Sequence, residues 1–108
     1  MAHYLVSARP RTDRLDELRR SLAEDAFRSL EPFGPELTRA LKRARRTPDG
    51  RAVWEEEDYC SPPLAQEREA VLDDHFEELR VTEVEPGEGW AAVRSLPALF
   101  PGLVRGGT

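Results

Sequence analysis

The fold is decided by the stretch ELTRALKRARRTPDGRAVWEEED, which covers residues 36–58. At its centre, Thr47-Pro48-Asp49-Gly50 combines residue types that favour a tight turn. Residues 51–55 follow the turn and have the composition of a strand. The fold therefore depends on whether the residues before the turn form a strand or a helix.

Two predictions compete for residues 36–46. In a hairpin, the basic residues between 39 and 46 would face the acidic run at 55–58, and opposite charges directly across antiparallel strands stabilise by about 0.2–1 kcal/mol per pair. A helix is the alternative, because apolar residues recur at helical spacing behind Pro35. They are Leu37, Ala40, Leu41 and Ala44. The charge complementarity favours the hairpin.

The rest of the chain alternates strands and helices. The residue patterns predict a strand at 3–9, a helix at 13–30, a helix at 62–79 and a strand at 81–85. With the hairpin, the order is β-α-β-β-α-β. We then predict an α+β domain over residues 1–89, with a ferredoxin-like antiparallel sheet and two helices on one face. With a helix at 36–46, the alternative is a three-stranded α+β domain.

Residues 90–108 form an apolar tail that proline and glycine interrupt. Its apolar residues are Trp90, Val93, Leu96, Leu99, Phe100, Leu103 and Val104. We expect the tail to pack on the domain or on a partner subunit. Because two helices cover only one face of a sheet, and the strand at 3–9 has apolar residues on both faces, we predict a homodimer.

Composition restricts the partners and the compartment. The 108 residues include 21 acidic and 16 basic side chains, so the net charge is -5. This charge repels phosphate backbones and anionic membranes, and we predict no nucleic-acid or membrane partner. Cys60 is the only cysteine, which excludes an internal disulfide. With no signal-peptide pattern and no long apolar run, we expect a cytoplasmic protein.

The predicted helix at 62–79 suggests one candidate pocket. On a helical wheel, Arg68 and His75 fall inside its apolar arc. A buried arginine needs a carboxylate partner, and Glu56 or Asp58 could supply it. A structural ion pair is one interpretation. The functional interpretation is an anion-binding or acid/base pocket formed by these residues and Tyr59.

Cys60 is a second candidate at the same place. A helix N-terminus after Ser61 would lower the pKa of its thiol, whereas the four preceding carboxylates would raise it. We therefore expect an ordinary thiol, and a nucleophilic pair with His75 has only a weak signal. No C-x-x-C or H-x-x-x-H spacing occurs, so the sequence predicts no metal site and no cofactor.

The function that these observations favour is a homodimeric small-molecule-binding domain. Its candidate ligand-binding residues are Glu56, Asp58, Tyr59, Cys60, Arg68 and His75. Whether it is an enzyme stays open, because no catalytic motif is present. The alternative is a non-enzymatic protein–protein interaction module that uses the apolar tail.

Overall fold

The centre of the sheet is β1 (Ala2–Pro10), which pairs with a strand on each side. The computed structural model describes residues 2–106, with side chains described through Leu103. The other strands are β2 (Arg45–Arg46), β3 (Ala52–Asp58) and β4 (Phe76–Val84). All pairs are antiparallel, in the order β2-β3-β1-β4. The prediction of an α+β domain built on an antiparallel sheet is confirmed.

Helices fill the connections between the strands. The first connection contains α1 (Leu15–Ala23) and α2 (Gly34–Lys42). The second contains α3 (Ala65–Glu67), a π-helical turn (Arg68–Leu72) and α4 (Asp73–His75), which run on continuously. After β4 come α5 (Glu88–Val93) and α6 (Pro101–Gly106). No helix within residues 2–106 is both long and apolar enough to cross a bilayer.

The hairpin prediction for residues 36–46 was wrong over most of its length. Residues up to Lys42 form α2, and only Arg45 and Arg46 pair with β3. The four apolar residues at helical spacing are at most 3% exposed. Burying a leucine stabilises by about 1.5–3 kcal/mol, which exceeds the gain from a cross-strand charge pair. The alternative was right about a helix in this stretch but wrong about three strands, because the two-residue β2 still makes a fourth strand.

Two predicted helices are shorter in the structure. The helix predicted at 13–30 ends at Ala23, and Asp25 has a φ of 55°, outside the helical region. The helix predicted at 62–79 ends at His75, because Phe76 begins β4. Strand β4 is thus nine residues long, where five were expected. Pairing with β1 satisfies backbone groups at both ends of this segment, on either side of an irregularity at Glu78 and Leu79.

The main core lies on one face of the sheet. Val6 of β1 is directly opposite Trp54 of β3, and both are fully buried. The Trp54 ring lies 5.2 Å from the ring of Phe76. Leucines of the helices complete this layer; they are Leu18, Leu22, Leu37, Leu41, Leu64 and Leu72. This face therefore receives the helices of both connections.

Helix α5 covers part of the other face. The backbone N–H groups of Gly87 and Trp90 donate hydrogen bonds to the Glu55 carboxylate, at 2.8 and 3.0 Å. A Cβ on Gly89 would lie 3.3 Å from Leu5 Cδ1, so the helix backbone is close to the sheet. The segment around α5 thus packs on β1 and β3 of its own chain.

The rest of the tail also contacts its own domain. The guanidinium of Arg43 lies 4.3 Å from the centre of the Trp90 ring. The N–H of Leu99 donates to the carbonyl of Ala44, and Phe100 is buried in the core. The boundary between a domain at 1–89 and a tail at 90–108 stays a prediction. Residues 107 and 108, and the side chain of Val104, lie outside the described part of the chain.

Glu55→Gln should weaken the attachment of α5 in a pH-dependent way. Burial acts to raise the pKa of Glu55, but hydrogen bonds from Gly87, Trp90 and His3 outweigh it and hold the pKa below 4.5. The carboxylate therefore stabilises the fold above pH 4.5, and this contribution is lost as pH falls through the folded-state pKa. In urea titrations at neutral pH, the substitution should lower the free energy of unfolding by about 1–3 kcal/mol.

The difference between wild type and Glu55→Gln should shrink in urea titrations below pH 4.5. Glu83→Gln is the matched control, because Glu83 is an exposed residue of β4. We expect it to have little effect at either pH. An equal loss at both pH values would contradict the role given to the ionised carboxylate.

Candidate functional site

A cleft of about 290 Å³ lies between the start of α2 and the end of β3. We name it the α2–β3 cleft. One wall consists of Pro32 and Phe33, which precede α2, and of Pro35, Glu36 and Arg39 within α2. The other consists of Glu57 and Asp58 of β3, Tyr59 and Cys60 of the following loop, and Gln66 of α3. The cleft therefore includes three of the predicted site residues, Asp58, Tyr59 and Cys60.

A buried acidic cluster adjoins this cleft. It consists of Glu56, Asp58 and Glu67, which are 1%, 6% and 1% exposed. Ligand atoms of Asp58, Glu67 and the Cys60 thiol all lie within 4.8 Å of one another. Because Asp58 and Cys60 also line the cleft, the cluster and the cleft form one site.

The local backbone explains how these side chains meet. Alternation along β3 places Glu56 and Asp58 on the same face as Trp54, which is the face of the main core. The Asp58 carboxylate accepts hydrogen bonds from the N–H groups of Cys60 and Leu64, at 3.1 and 2.6 Å. Leu64 has a φ of 64°, in the left-handed region, just before α3 begins. Asp58 thus holds the loop that carries Cys60 and starts the helix that carries Glu67.

The carboxyl groups of Glu56 and Glu67 interact directly. Burial raises the pKa of Glu56 well above its usual range, and the neighbouring Glu67 raises it further. Burial also raises the pKa of Glu67. Trp54 Nε1 donates to Glu56 Oε1 at 2.7 Å, whereas the Oε2 atoms of both glutamates have no hydrogen-bond partner. The two carboxyl groups are therefore stabilised by holding a proton between them.

The acidic cluster has no basic partner among the described residues. The ion pairs found in that part of the chain involve other acidic residues, including Glu36, Glu55, Glu57 and Glu78. Buried carboxylates without a cation are costly, because burial removes their hydration. The cluster consequently favours a bound positive charge, either a proton or a cation, at the edge of an open cleft.

Arg68 does not belong to this site. The prediction that it is buried against the acidic run was wrong, since its side chain is 47% exposed and its Nε lies 3.5 Å from Asp73 Oδ1. The wheel assumed 100° per residue throughout, but Arg68 begins the π-helical turn, where each residue advances by a smaller angle. Leu64, the first apolar residue of the wheel, also has a left-handed backbone and lies before α3, so a single helical wheel does not describe this segment.

His75 is buried, as its position in the arc suggested, but the cleft does not include it. Its ring packs 6.1 Å from the ring of Phe27. Burial lowers the pKa of His75, and the nearby positive charge of Arg14 adds to the effect. This environment favours the neutral ring. The cleft thus brings together Asp58, Tyr59 and Cys60, and a role of His75 in the same pocket stays a prediction.

Glu67 is the member of the site that the sequence interpretation omitted. Leu64 lies three residues before Glu67, and Val71 lies four residues after it. Both are buried, and this spacing places Glu67 on the same side of the segment. That spacing was the available signal.

A second cleft, of about 300 Å³, lies at the turn between β2 and β3. Arg46, Thr47, Pro48, Gly50 and Pro97 line it. It adjoins no cluster of buried ionisable groups, so the α2–β3 cleft is the stronger candidate.

Comparisons with known families, curated proteins and solved structures found no match to this chain. The function is therefore argued from the geometry and electrostatics of the site alone.

Proposed function

We propose that the chain is a small-molecule-binding domain whose ligand occupies the α2–β3 cleft. The observation that carries this proposal is that the cleft opens onto the buried acidic cluster, which has no basic partner among the described residues. Clefts with apolar walls and a few convergent polar groups are the usual form of ligand sites. The proposal concerns binding, and whether a reaction follows stays open.

The charge of the site favours a cationic ligand. The acidic cluster attracts positive charge, and Phe33 with its neighbours Pro32 and Pro35 forms an apolar wall of the cleft. Arg39 lines the cleft as well, but it forms an ion pair with Glu36, which reduces its attraction for anions. A small amine with an apolar or aromatic body has the matching chemistry.

Benzylamine is a suitable probe of this preference. In a titration of the full chain followed by amide NMR, we expect it to shift the signals of Glu36, Tyr59, Cys60 and Gln66, which line the cleft. Benzoate has a similar size and the opposite charge, and it should leave these signals unchanged. Binding of both compounds with equal affinity would contradict the electrostatic basis of the proposal.

A matched pair of variants locates the binding. Gln66→Arg introduces a positive charge at an exposed residue of the cleft and should reduce benzylamine affinity by about tenfold or more. Thr82→Arg makes the same change of charge at an exposed position of β4 and should leave the affinity unchanged. Equal losses in both variants would show that net charge, and not the cleft, determines binding.

The alternative function is a protein–protein interaction module, and the exposure of Tyr59 favours it. Tyr59 is 71% exposed and lies on the rim of the same cleft. Aromatic side chains are enriched in protein interfaces. A partner protein would then cover the cleft, whereas a small ligand would leave most of its rim open.

The homodimer and the ferredoxin-like arrangement remain parts of this proposal. Strand β3 lies between β1 and β2, as in a split β-α-β unit, but the first connection contains two helices and β2 has two residues. The dimer was predicted because one face of the sheet lacked a cover, but α5 covers part of that face at β1 and β3. The outer edge of β4 is the surface through which a second copy could extend the sheet.

A further inference from the structure

We propose that Asp58, Cys60 and Glu67 form a binding site for one Zn²⁺ ion at the inner end of the α2–β3 cleft. This goes beyond the proposed binding of a small molecule, because the ion needs none to be present. Each residue offers one ligand atom, namely a carboxylate oxygen of Asp58, a carboxylate oxygen of Glu67 and the sulfur of Cys60.

The spacing of these atoms is close to what zinc requires. They lie within 4.8 Å of one another. With Zn–S near 2.3 Å and Zn–O near 2.0–2.2 Å, two ligand atoms in a tetrahedral site are roughly 3.5 Å apart. An inward shift of about 1 Å, which side-chain rotation can supply, would close the site.

A second observation concerns two buried carboxyl oxygens, Glu56 Oε2 and Glu67 Oε2. Glu67 and Glu56 are each 1% exposed, and the Oε2 atom of each has no hydrogen-bond partner. Buried polar atoms normally have such partners, so each exception needs an explanation. A bound cation would displace the proton that the two carboxyl groups hold and would compensate the charge of Glu67 directly. Glu56 would then be a neighbour that orients Glu67.

The ligand set selects zinc over the alkaline-earth ions. Calcium and magnesium prefer six or more oxygen ligands, whereas a thiolate with two carboxylates suits a borderline ion such as Zn²⁺. Asp58 is already oriented by the N–H groups of Cys60 and Leu64. Three protein ligands would leave a fourth position for water or a ligand, and Asp58 and Cys60 both line the adjoining cleft.

The site is compatible with the proposed ligand preference. Two carboxylates and a thiolate outweigh the charge of one Zn²⁺ ion, so the occupied site keeps a net negative charge. A cationic or neutral molecule in the cleft is still favoured over an anion.

The experiment is a metal titration of the full-length, reduced chain after removal of metals with a chelator. Co²⁺ serves as a spectroscopic probe, because thiolate coordination gives it a charge-transfer absorption. We expect saturation at one equivalent, displacement of Co²⁺ by Zn²⁺, and an increase in melting temperature with Zn²⁺. Calcium should not displace the probe.

Conservative variants assign the ligands. Cys60→Ser should abolish the charge-transfer absorption, and Glu67→Gln should weaken Zn²⁺ binding by about tenfold or more. Glu69→Gln is the matched control, because Glu69 is an exposed residue of the same helix. It should bind like the wild type. Circular dichroism tests whether each variant is folded. Glu67→Gln keeps the shape of the side chain, so it assigns the site even if Cys60→Ser does not fold.

Either of two results would overturn the site. One is the absence of stoichiometric Co²⁺ or Zn²⁺ binding by the wild type, and the other is Zn²⁺ binding by folded Glu67→Gln as tight as by Glu69→Gln. Neither result bears on benzylamine binding, which is measured in metal-free protein. The two proposals can therefore fail separately.

Discussion

Gly34→Ala is expected to lower the free energy of unfolding by about 3 kcal/mol. Gly34 is the first residue of α2, and it packs against the turns that follow α1. A Cβ at this position would lie 2.3 Å from the carbonyl oxygen of Phe27 and 2.6 Å from that of Arg28. Both are backbone atoms, so the contact cannot be relieved by rotating a side chain. The start of α2 would have to move away from the preceding turns.

Urea unfolding followed by tryptophan fluorescence measures this loss, and Gly102→Ala is the matched control. A Cβ on Gly102 would have no heavy atom within 4 Å, and Gly102 lies within α6. Its replacement should be neutral or slightly stabilising, because alanine favours helices. If Gly34→Ala were as stable as Gly102→Ala, the close approach of α2 to residues 27 and 28 would be contradicted.

The same substitution should also weaken binding of the benzylamine probe. Phe33 and Pro35, which line the α2–β3 cleft, flank Gly34 directly in the chain. Movement of this segment would change the wall of the cleft without altering its charge. Binding that is unaffected in folded Gly34→Ala would place the ligand elsewhere.

Arg51→Ala should be the other strongly destabilising substitution, with a loss of about 2–4 kcal/mol. Arg51 is 6% exposed. Its Nε donates to Ser7 Oγ at 2.8 Å, and its Nη2 donates to the carbonyl oxygens of Ser7 and Glu78. Glu78 has a φ of 54° at an irregularity in the pairing of β1 with β4. Arg51 therefore joins three strands at the point where regular pairing fails, and alanine would leave the two carbonyl groups without these donors.

Arg68→Ala is the control for Arg51→Ala. Arg68 is also an arginine with a carboxylate neighbour, but its side chain is exposed, and exposed ion pairs contribute about 0–1 kcal/mol. In thermal and urea unfolding, the two variants should differ by more than 1 kcal/mol. Similar stabilities would show that the hydrogen bonds of Arg51 make no net contribution to the fold.

The buried arginine illustrates what sequence reasoning captured and what it missed. The helical wheel predicted one arginine that needs buried partners, and the described residues contain one at Arg51 instead of Arg68. The partners of Arg51 are two backbone carbonyls and the side chains of Ser7 and Glu78, all brought close by pairing between distant strands. Residue patterns carry no information on such contacts.

Residue patterns predicted β1, α1 and β3. The apolar residues of β1 alternate, those of α1 repeat at helical spacing, and residues 51–55 have the composition of a strand. The prediction failed at α2 through a wrong comparison of energies, since burial of Leu37 and Leu41 outweighs the charge pairs of a hairpin. At the candidate site, the sequence identified Glu56, Asp58, Tyr59 and Cys60, which are consecutive or nearly so. It missed Glu67, because that contact depends on how the helix after the loop is placed.

The π-helical turn at residues 68–72 separates the two ends of the helix that runs from α3 to α4. Glu67 precedes the turn and His75 follows it, so the acidic cluster and the hydrophobic packing around His75 lie on opposite sides of an irregular segment. In a regular helix, rotating one end about the axis rotates the other end equally. A turn with one residue more than an α-helical turn can absorb a small rotation within itself. Substitutions in the core around His75 that rotate α4 can therefore leave the orientation of Glu67 unchanged, because residues 68–72 take up the rotation.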